Sequence, residues 1–301
     1  MEKITEYEKC TLCPRECSIN RYEKNGFCGT GAAIVAAKAY LHKWEEPCIS
    51  VTNGAGTVFF SGCSLKCRFC QNSVISSQVY GAEISTERLS EILLELQERG
   101  ADNIELVTPT HFTPSIIRAL DRIKHRLSIP VIWNTGGYEK ISTLKMLEGY
   151  VDVWLPDLKY YSDELSNRYS SAPDYFAVAS AAILEMIRQA GTLISDETGR
   201  LVKGTVIRHL VLPGGRHDSM KVMDWIAANI PQDKALVSIM NQYTPFDFIP
   251  DDYPELKRRV TKMEYNSVVR HAQELGIRGY TQEKASADEE YVPDFDLTGI
   301  L

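Results

Sequence analysis

Seven of the chain's eight cysteines fall in two tight groups within the first 70 residues, and the remaining 231 residues contain none. In a secreted chain eight cysteines would suggest four disulfides, but this clustering points to metal. The second group, SGCSLKCRFCQN, sets Cys63, Cys67 and Cys70 at C-x3-C-x2-C spacing. Three thiolates on one loop can hold three irons of a 4Fe-4S cube, whose full requirement is four, so the fourth iron is left open to a substrate or cofactor. Zinc held by three cysteines and water is the alternative, although structural zinc prefers four closed ligands. The first group is Cys10, Cys13, Cys17 and Cys28, in CTLCPRECSINRYEKNGFCG. Its C-x2-C start and four-ligand count suit structural zinc, with a second iron-sulfur cluster or free or paired thiols as alternatives. Cys48 stands alone and reads as a small buried thiol.

A loop that carries such chemistry has to be set at one end of a scaffold. Short β-rich runs at residues 56–61, 103–108, 130–134, 151–155, 204–212 and 235–240 alternate with segments of helical period. The first of these segments, TERLSEILLELQERG, reads as a helix with Thr86 as N-cap and Gly100 as its stop. Five more follow: PSIIRALDRIKHRL, EKISTLKMLEG, DYFAVASAAILEMIRQAG, HDSMKVMDWIAANI and ELKRRVTKMEYNSVVRHAQELG. Six βα units with near-continuous apolar strands predict an α/β fold, a partial (β/α)6 TIM-like barrel over residues 50–281. A cysteine-rich metal-binding module precedes it over 1–49, and a C-terminal extension, 282–301, follows. An open doubly wound sheet is the alternative fold. The extension is acidic at first and then carries Tyr291, Phe295 and Leu297, so it is expected to dock.

Chemistry in such a fold gathers at the C-terminal ends of the strands. The cysteine triad follows the first strand, Thr108, Thr110 and His111 the second, and Asn134, Thr135, Gly136 and Gly137 the third. Asp157 and Lys159 follow the fourth, and Arg208 lies on the fifth, which runs into Pro213, Gly214 and Gly215. One rim would gather them all, with His111 the candidate for a proton or substrate contact; a capping role is its alternative.

Composition narrows the function further. The 301 residues carry a formal charge of −7 and 44% hydrophobic residues, which gives an ordinary globular core and no basic nucleic-acid footprint. The N-terminus lacks an apolar signal region, and the stretch GAAIVAAKAYL, cut by Lys38, is too short to span a bilayer. A cytoplasmic protein is expected.

The triad, with Phe69 just before its last cysteine, resembles the radical SAM superfamily, and the chain is similar within it to the pyruvate formate-lyase activating enzyme group, most closely its PflX-type members. The stretches that carry this likeness are CTLCPRECSINR, EEPCIS, GTVFFSGCSLKCRFCQN, NIELVTPTHF, WNTGGYE, VDVWLPDLKYY, IRHLVLPGG and IMNQYTP. They run from residue 10 to 245, about four-fifths of the chain.

The resemblance implies that S-adenosylmethionine (SAM) chelates the open iron and is cleaved reductively, giving a 5′-deoxyadenosyl radical that abstracts hydrogen from a substrate. It implies an electron donor such as flavodoxin or ferredoxin, and a glycyl radical enzyme as a partner. Asp157 and Lys159 match an Asp-x-Lys that contacts the methionyl end of SAM. Arg208 matches an arginine that holds its carboxylate, and Asn134 a polar position beside it. Phe69 belongs to the same cofactor contacts. The family's Gly-Gly-Glu strand end corresponds to Thr108, Pro109 and Thr110, so the amino-group contact falls to the hydroxyl or carbonyl groups of Thr108 and Thr110. The histidine after the sixth strand has no counterpart, since Gln242 and Tyr243 stand there. A radical SAM enzyme acting on a small molecule or another macromolecule, or a cluster-bearing module without SAM chemistry, are the alternative functions.

Overall fold

The computed structural model describes residues 3–282 and 293–301. Ten strands occur among them: β1 (Ile34–His42), β2 (Ala55–Phe60), β3 (Ala82–Ile84), β4 (Ile104–Val107), β5 (Val131–Thr135), β6 (Val153–Pro156), β7 (Ile194–Ser195), β8 (Leu201–Leu210), β9 (Leu236–Met240) and β10 (Gly279–Thr281). The helices are α1 (Thr5–Glu8), α2 (Ser73–Ser76), α3 (Thr86–Glu98), α4 (Thr113–Ile123), α5 (Ile141–Met146), α6 (Asp163–Ser170), α7 (Tyr175–Ala190), α8 (Arg216–Asn229) and α9 (Lys262–Glu274). The sheet order is β10-β9-β8-β6-β5-β4-β2-β1-β3, with every pair from β10 to β2 parallel. β1 and β3 close one edge antiparallel, so the sheet curls without meeting itself. The α/β partial barrel is thus present, and its six expected strands are β2, β4, β5, β6, β8 and β9.

Three features depart from expectation. β1 lies before residue 50, so the sheet begins inside the stretch read as the cysteine module. The N-cap of α3 is Ser85 rather than Thr86, because the Ser85 hydroxyl accepts the Arg88 amide while Thr86 already lies in the helix. The last helical pattern splits: Pro254–Lys257 forms a 3-10 turn, and α9 begins only after Thr261, which forms a capping box with Glu264.

The two faces of the sheet differ in kind. The outer face sets Val58, Leu106, Trp133, Trp154 and Ile207 under the helices, all fully buried. The inner face presents Thr57, Glu105, Asn134, Asp157, Arg208 and Ser238, with Thr57 in register with Glu105, and Arg208 in register with both Asp157 and Ser238. Its lower end is filled by the segment between β1 and β2, where Cys48 and Ile49 pack with Ile132, Val153, Leu155 and Val206. Asp102 fastens that segment by accepting the amides of Val51, Thr52, Asn53 and Gly54 on one oxygen.

The C-terminal residues dock as expected. The Leu297 amide donates to the Ala37 carbonyl, the Ala39 amide to that of Thr298, Phe295 packs edge-on to Phe59, and Ile300 is fully buried. Tyr291 lies outside the described residues. Among the described residues no helix is long and apolar enough to cross a membrane.

Candidate active site

Cys63, Cys67 and Cys70 lie on the loop that leaves β2, all as free thiols. Each sulfur has a donor aimed at it: the Leu65 amide at Cys63 (3.3 Å), the Ser170 hydroxyl at Cys67 (3.1 Å) and the Ser76 hydroxyl at Cys70 (3.4 Å). Burial, with Cys67 adjacent, pushes the Cys63 thiol up to about 12, and Cys70 is raised for the same reasons. Three crowded sulfurs, each supplied with a donor that favours thiolate and two of them with thiols raised by burial, form a donor set suited to a multiply charged cation. Among the described residues, no three His, Cys, Asp or Glu side chains converge on a point that one ion could take. A cube takes one thiolate per iron and asks for sulfurs spread around its corners, so the triad fits a cluster.

Beside the triad, one run of hydrogen bonds crosses the inner face. The Thr57 hydroxyl donates to Glu105 (2.7 Å), and the Asn134 amide donates to the other Glu105 oxygen (2.6 Å). Arg208 donates through Nη2 to Asn134 Oδ1 (2.5 Å) and through Nε to Asp157 (3.1 Å), and Lys159 Nζ donates to the second Asp157 oxygen (2.5 Å). Asn134, Asp157, Lys159 and Arg208 therefore meet, although they come from three strand ends. Burial alone would raise the Asp157 carboxyl, but Lys159 and Arg208 outweigh it and hold it below the usual range. Arg208 stays fully charged among carboxylates, and Lys159 is raised by Asp157 and Cys67 against its burial.

Glu45, Glu46 and Glu105 are site residues that motif reading passed over. Glu45 reaches Arg208 Nη1 at 3.4 Å, the longest of its three contacts. Burial, then Glu45, raises the Glu105 carboxyl well above the usual carboxylate range. Burial and Glu45 also push Glu46 up to about 7. The available signals were an acidic residue inside the apolar run NIELVT and the pair opening EEPCIS.

The second strand end differs from the rim role expected of it. Thr108 holds a left-handed backbone, φ +56°, where the related motif has glycine. Thr110 is buried and gives its hydroxyl to Glu139 (2.5 Å), which also receives that of Thr135. His111 lies on the turn after β4 with its ring buried, Nε2 2.8 Å from the Ser61 carbonyl oxygen, and burial, then Arg21, depresses it to about 3. Phe69 is buried edge-on against Tyr160, Tyr169 and Tyr243, an aromatic wall behind the triad.

The N-terminal cysteines are built onto this loop. Arg15 donates to the carbonyls of Ser64 (2.8 Å), Ser170 (2.9 Å) and Ser171 (2.5 Å), and buried Arg21 binds the His111 carbonyl and the Thr30 hydroxyl. Cys10, Cys13 and Cys28 are buried and Cys17 half-buried; burial pushes the Cys13 thiol up to about 12, with Cys28 and Cys10 adding to the effect. Gly26 fits between the sulfurs of Cys17 and Cys28, where a Cβ would stand 3.4 Å from Cys28 Sγ.

A parallel-stranded partial barrel with three free cysteines on the loop after its first parallel strand is the architecture of one large class of enzymes. The family model of the radical SAM superfamily matches residues 57–226, more than half of the chain, and the protein belongs to that superfamily. The uncharacterized protein MJ0674 of Methanocaldococcus jannaschii is 29% identical over 281 residues, covering 90% of this chain and 76% of its own length. A radical SAM methyltransferase from Sphaerobacter thermophilus superposes with a TM-score of 0.50 at 14% identity, over 75% of this chain and 65% of that one. The chain thus spans just under two thirds of that structure. A domain of pyruvate-formate lyase-activating enzyme from Bacteroides vulgatus superposes with a TM-score of 0.39 at 11% identity, over 66% of this chain and 91% of that one.

Proposed function

We propose that this protein cleaves S-adenosylmethionine reductively, with Cys63, Cys67 and Cys70 holding a 4Fe-4S cluster and the methionyl end of SAM lying over Asn134, Asp157, Lys159 and Arg208. The observation that carries this reading is the convergence of those four side chains beside the triad. When bound, the cluster supplies the single electron that opens the sulfonium and yields a 5′-deoxyadenosyl radical able to take hydrogen from a substrate. The chain's own residues bind and orient. Arg208 is held in place by Asp157 and Asn134, and its Nη1 edge, where Glu45 stands off at 3.4 Å, is the edge that receives a ligand carboxylate. Asp157, kept ionised, faces the amino group and sulfonium. The wall of Phe69, Tyr160 and Tyr169 keeps water from the reacting atoms.

The activating-enzyme motifs support a protein glycine as hydrogen donor and a flavodoxin- or ferredoxin-type reductant. The ligand count and C-x2-C start of Cys10, Cys13, Cys17 and Cys28 support zinc there; no three of these side chains converge on one point among the described residues, so they would have to close about the ion. The test is anaerobic reconstitution with iron and sulfide, followed by an assay for SAM cleavage. Arg208→Ala should weaken SAM binding by one to two orders of magnitude, the loss of about 1.5–3 kcal/mol of charge-assisted hydrogen bonding, with the cluster intact. A reconstituted protein that neither binds nor cleaves SAM would refute the reading.

A further inference from the structure

Glu45 and Glu46 lie on the segment between β1 and β2, outside any strand or helix, so their backbone is not fixed in a ladder. Glu45 turns inward and is nearly buried, as is Arg208. Its Oε1 accepts the Glu46 amide at 3.2 Å and stands 3.4 Å from Arg208 Nη1. The other two nitrogens of Arg208 are held more closely, Nη2 by Asn134 (2.5 Å) and Nε by Asp157 (3.1 Å), so Arg208 keeps its place without Glu45. Glu45 also meets Glu105, on which it acts both as a charge and as a hydrogen-bond partner. Glu105 is fixed, because the Thr57 hydroxyl and the Asn134 amide hold its two oxygens at 2.7 and 2.6 Å. Two carboxyl groups within hydrogen-bond reach keep one proton between them, since like charges so close do not both ionise.

The other groups facing this pair are Tyr40 and His42 from β1, Asp157 from the end of β6, and Glu46 and Cys48 from the segment itself. Burial raises the Tyr40 hydroxyl and the Cys48 thiol and lowers the His42 ring, which favours the uncharged form of each. Arg208 is the cation on which Glu45, Glu46 and Glu105 all act. We propose that Glu45 is a positioning residue that steadies the Nη1 edge of Arg208 and yields that edge to the carboxylate of SAM by settling wholly on Glu105, with which it shares one proton. This rests on the proposed placement of SAM over Arg208. The exchange breaks only the long contact of Glu45 with Arg208, and no covalent bond changes. Without the shared proton, the carboxylates of SAM, Glu45 and Glu105 would crowd one another beside Arg208, so SAM binds best while the pair keeps its proton and loses affinity as pH rises past the point where the free pair gives it up.

The experiment measures SAM affinity by equilibrium dialysis on the anaerobically reconstituted protein, with iron and sulfide analysis to verify the cluster. Glu45→Gln removes the competing charge and should tighten SAM roughly three- to tenfold at pH about 6.5, the reverse of what losing a mere prop for Arg208 would give. In the unaltered protein affinity should fall about tenfold between pH about 6.5 and about 8.5, as uptake of one proton over part of that range requires. Glu105→Gln gives Glu45 a permanent amide donor, with the Thr57 hydroxyl free to accept in turn, and should cut that fall to about threefold or less; what is left belongs to Glu46 and the SAM amino group, common to both proteins. Should Glu45→Gln fail to take up the cluster, the Glu105→Gln slope decides alone. Unchanged or weaker SAM binding by Glu45→Gln with its cluster intact, or an equal pH slope in Glu105→Gln, overturns the exchange. An unaltered protein that carries the cluster and binds no SAM at either pH instead removes the reading on which the exchange rests.

Discussion

The main-chain amide of Cys63 donates to the carbonyl oxygen of Cys28 at 3.2 Å, so the first cysteine of the loop triad and the last of the N-terminal quartet share a hydrogen bond. Gly62 makes that approach possible: with φ +88°, it lies where a Cβ would stand 2.8 Å from the same Cys28 oxygen. The two cysteine groups are thus one structural unit.

From this unit follows a separable metal content. With Cys63, Cys67 and Cys70 all replaced by Ala, metal analysis should still find about one zinc per chain, as one four-cysteine site requires. Iron and sulfide in its place would establish a second cluster, and a metal-free chain would contradict both.

Thr108 holds a left-handed backbone that costs a β-branched residue of order 1 kcal/mol. Thr108→Gly should therefore stabilise the fold by about 0.5–1 kcal/mol, part of the gain being offset by the greater freedom of glycine in the unfolded chain. Denaturant titration reads this directly, and destabilisation would show that the threonine side chain makes a contact worth more than the strain.

Much of this arrangement was legible in the chain, and the rest was hidden for identifiable reasons. The strands β2, β4, β5, β6, β8 and β9 announce themselves by apolar runs, and Asp157, Lys159 and Arg208 by their place at the strand ends. β1 was missed because its small alternating residues and Lys38 read as weakly apolar coil, yet it is the edge against which β2 pairs. α6 was missed because its exposed polar surface carries little helical period. Glu105 and Glu139 owe their raised carboxyls first to burial under other elements, which no local pattern reveals. The burial of His111 was hidden for the same reason, since its ring bonds the Ser61 carbonyl and its own carbonyl accepts from Arg21, 90 residues away.

Glu139 makes stability depend on pH. Burial raises its carboxyl from 4.5 to about 7, against the Thr110 and Thr135 hydroxyls that favour ionisation, and one of its oxygens is buried without a partner. The folded protein keeps this proton over a range where the unfolded chain has lost it, so stability should fall as pH rises from about 4.5 through about 7, by of order 3 kcal/mol. Glu139→Gln removes the titrating proton, and its melting temperature should vary less between pH 5 and 8 (roughly the window set by that shift) than that of the unaltered protein. Equal slopes would place the pH dependence elsewhere.

The most direct measurement is electron-nuclear double resonance on the reduced, reconstituted cluster with SAM labelled at its amino nitrogen and carboxylate oxygen. A cluster on Cys63, Cys67 and Cys70 with an open iron predicts hyperfine coupling to both labels, at lower SAM occupancy in Arg208→Ala and absent when the three cysteines are Ala. A cluster spectrum that SAM does not change, or coupling that survives loss of all three cysteines, would contradict the placement of SAM at this rim.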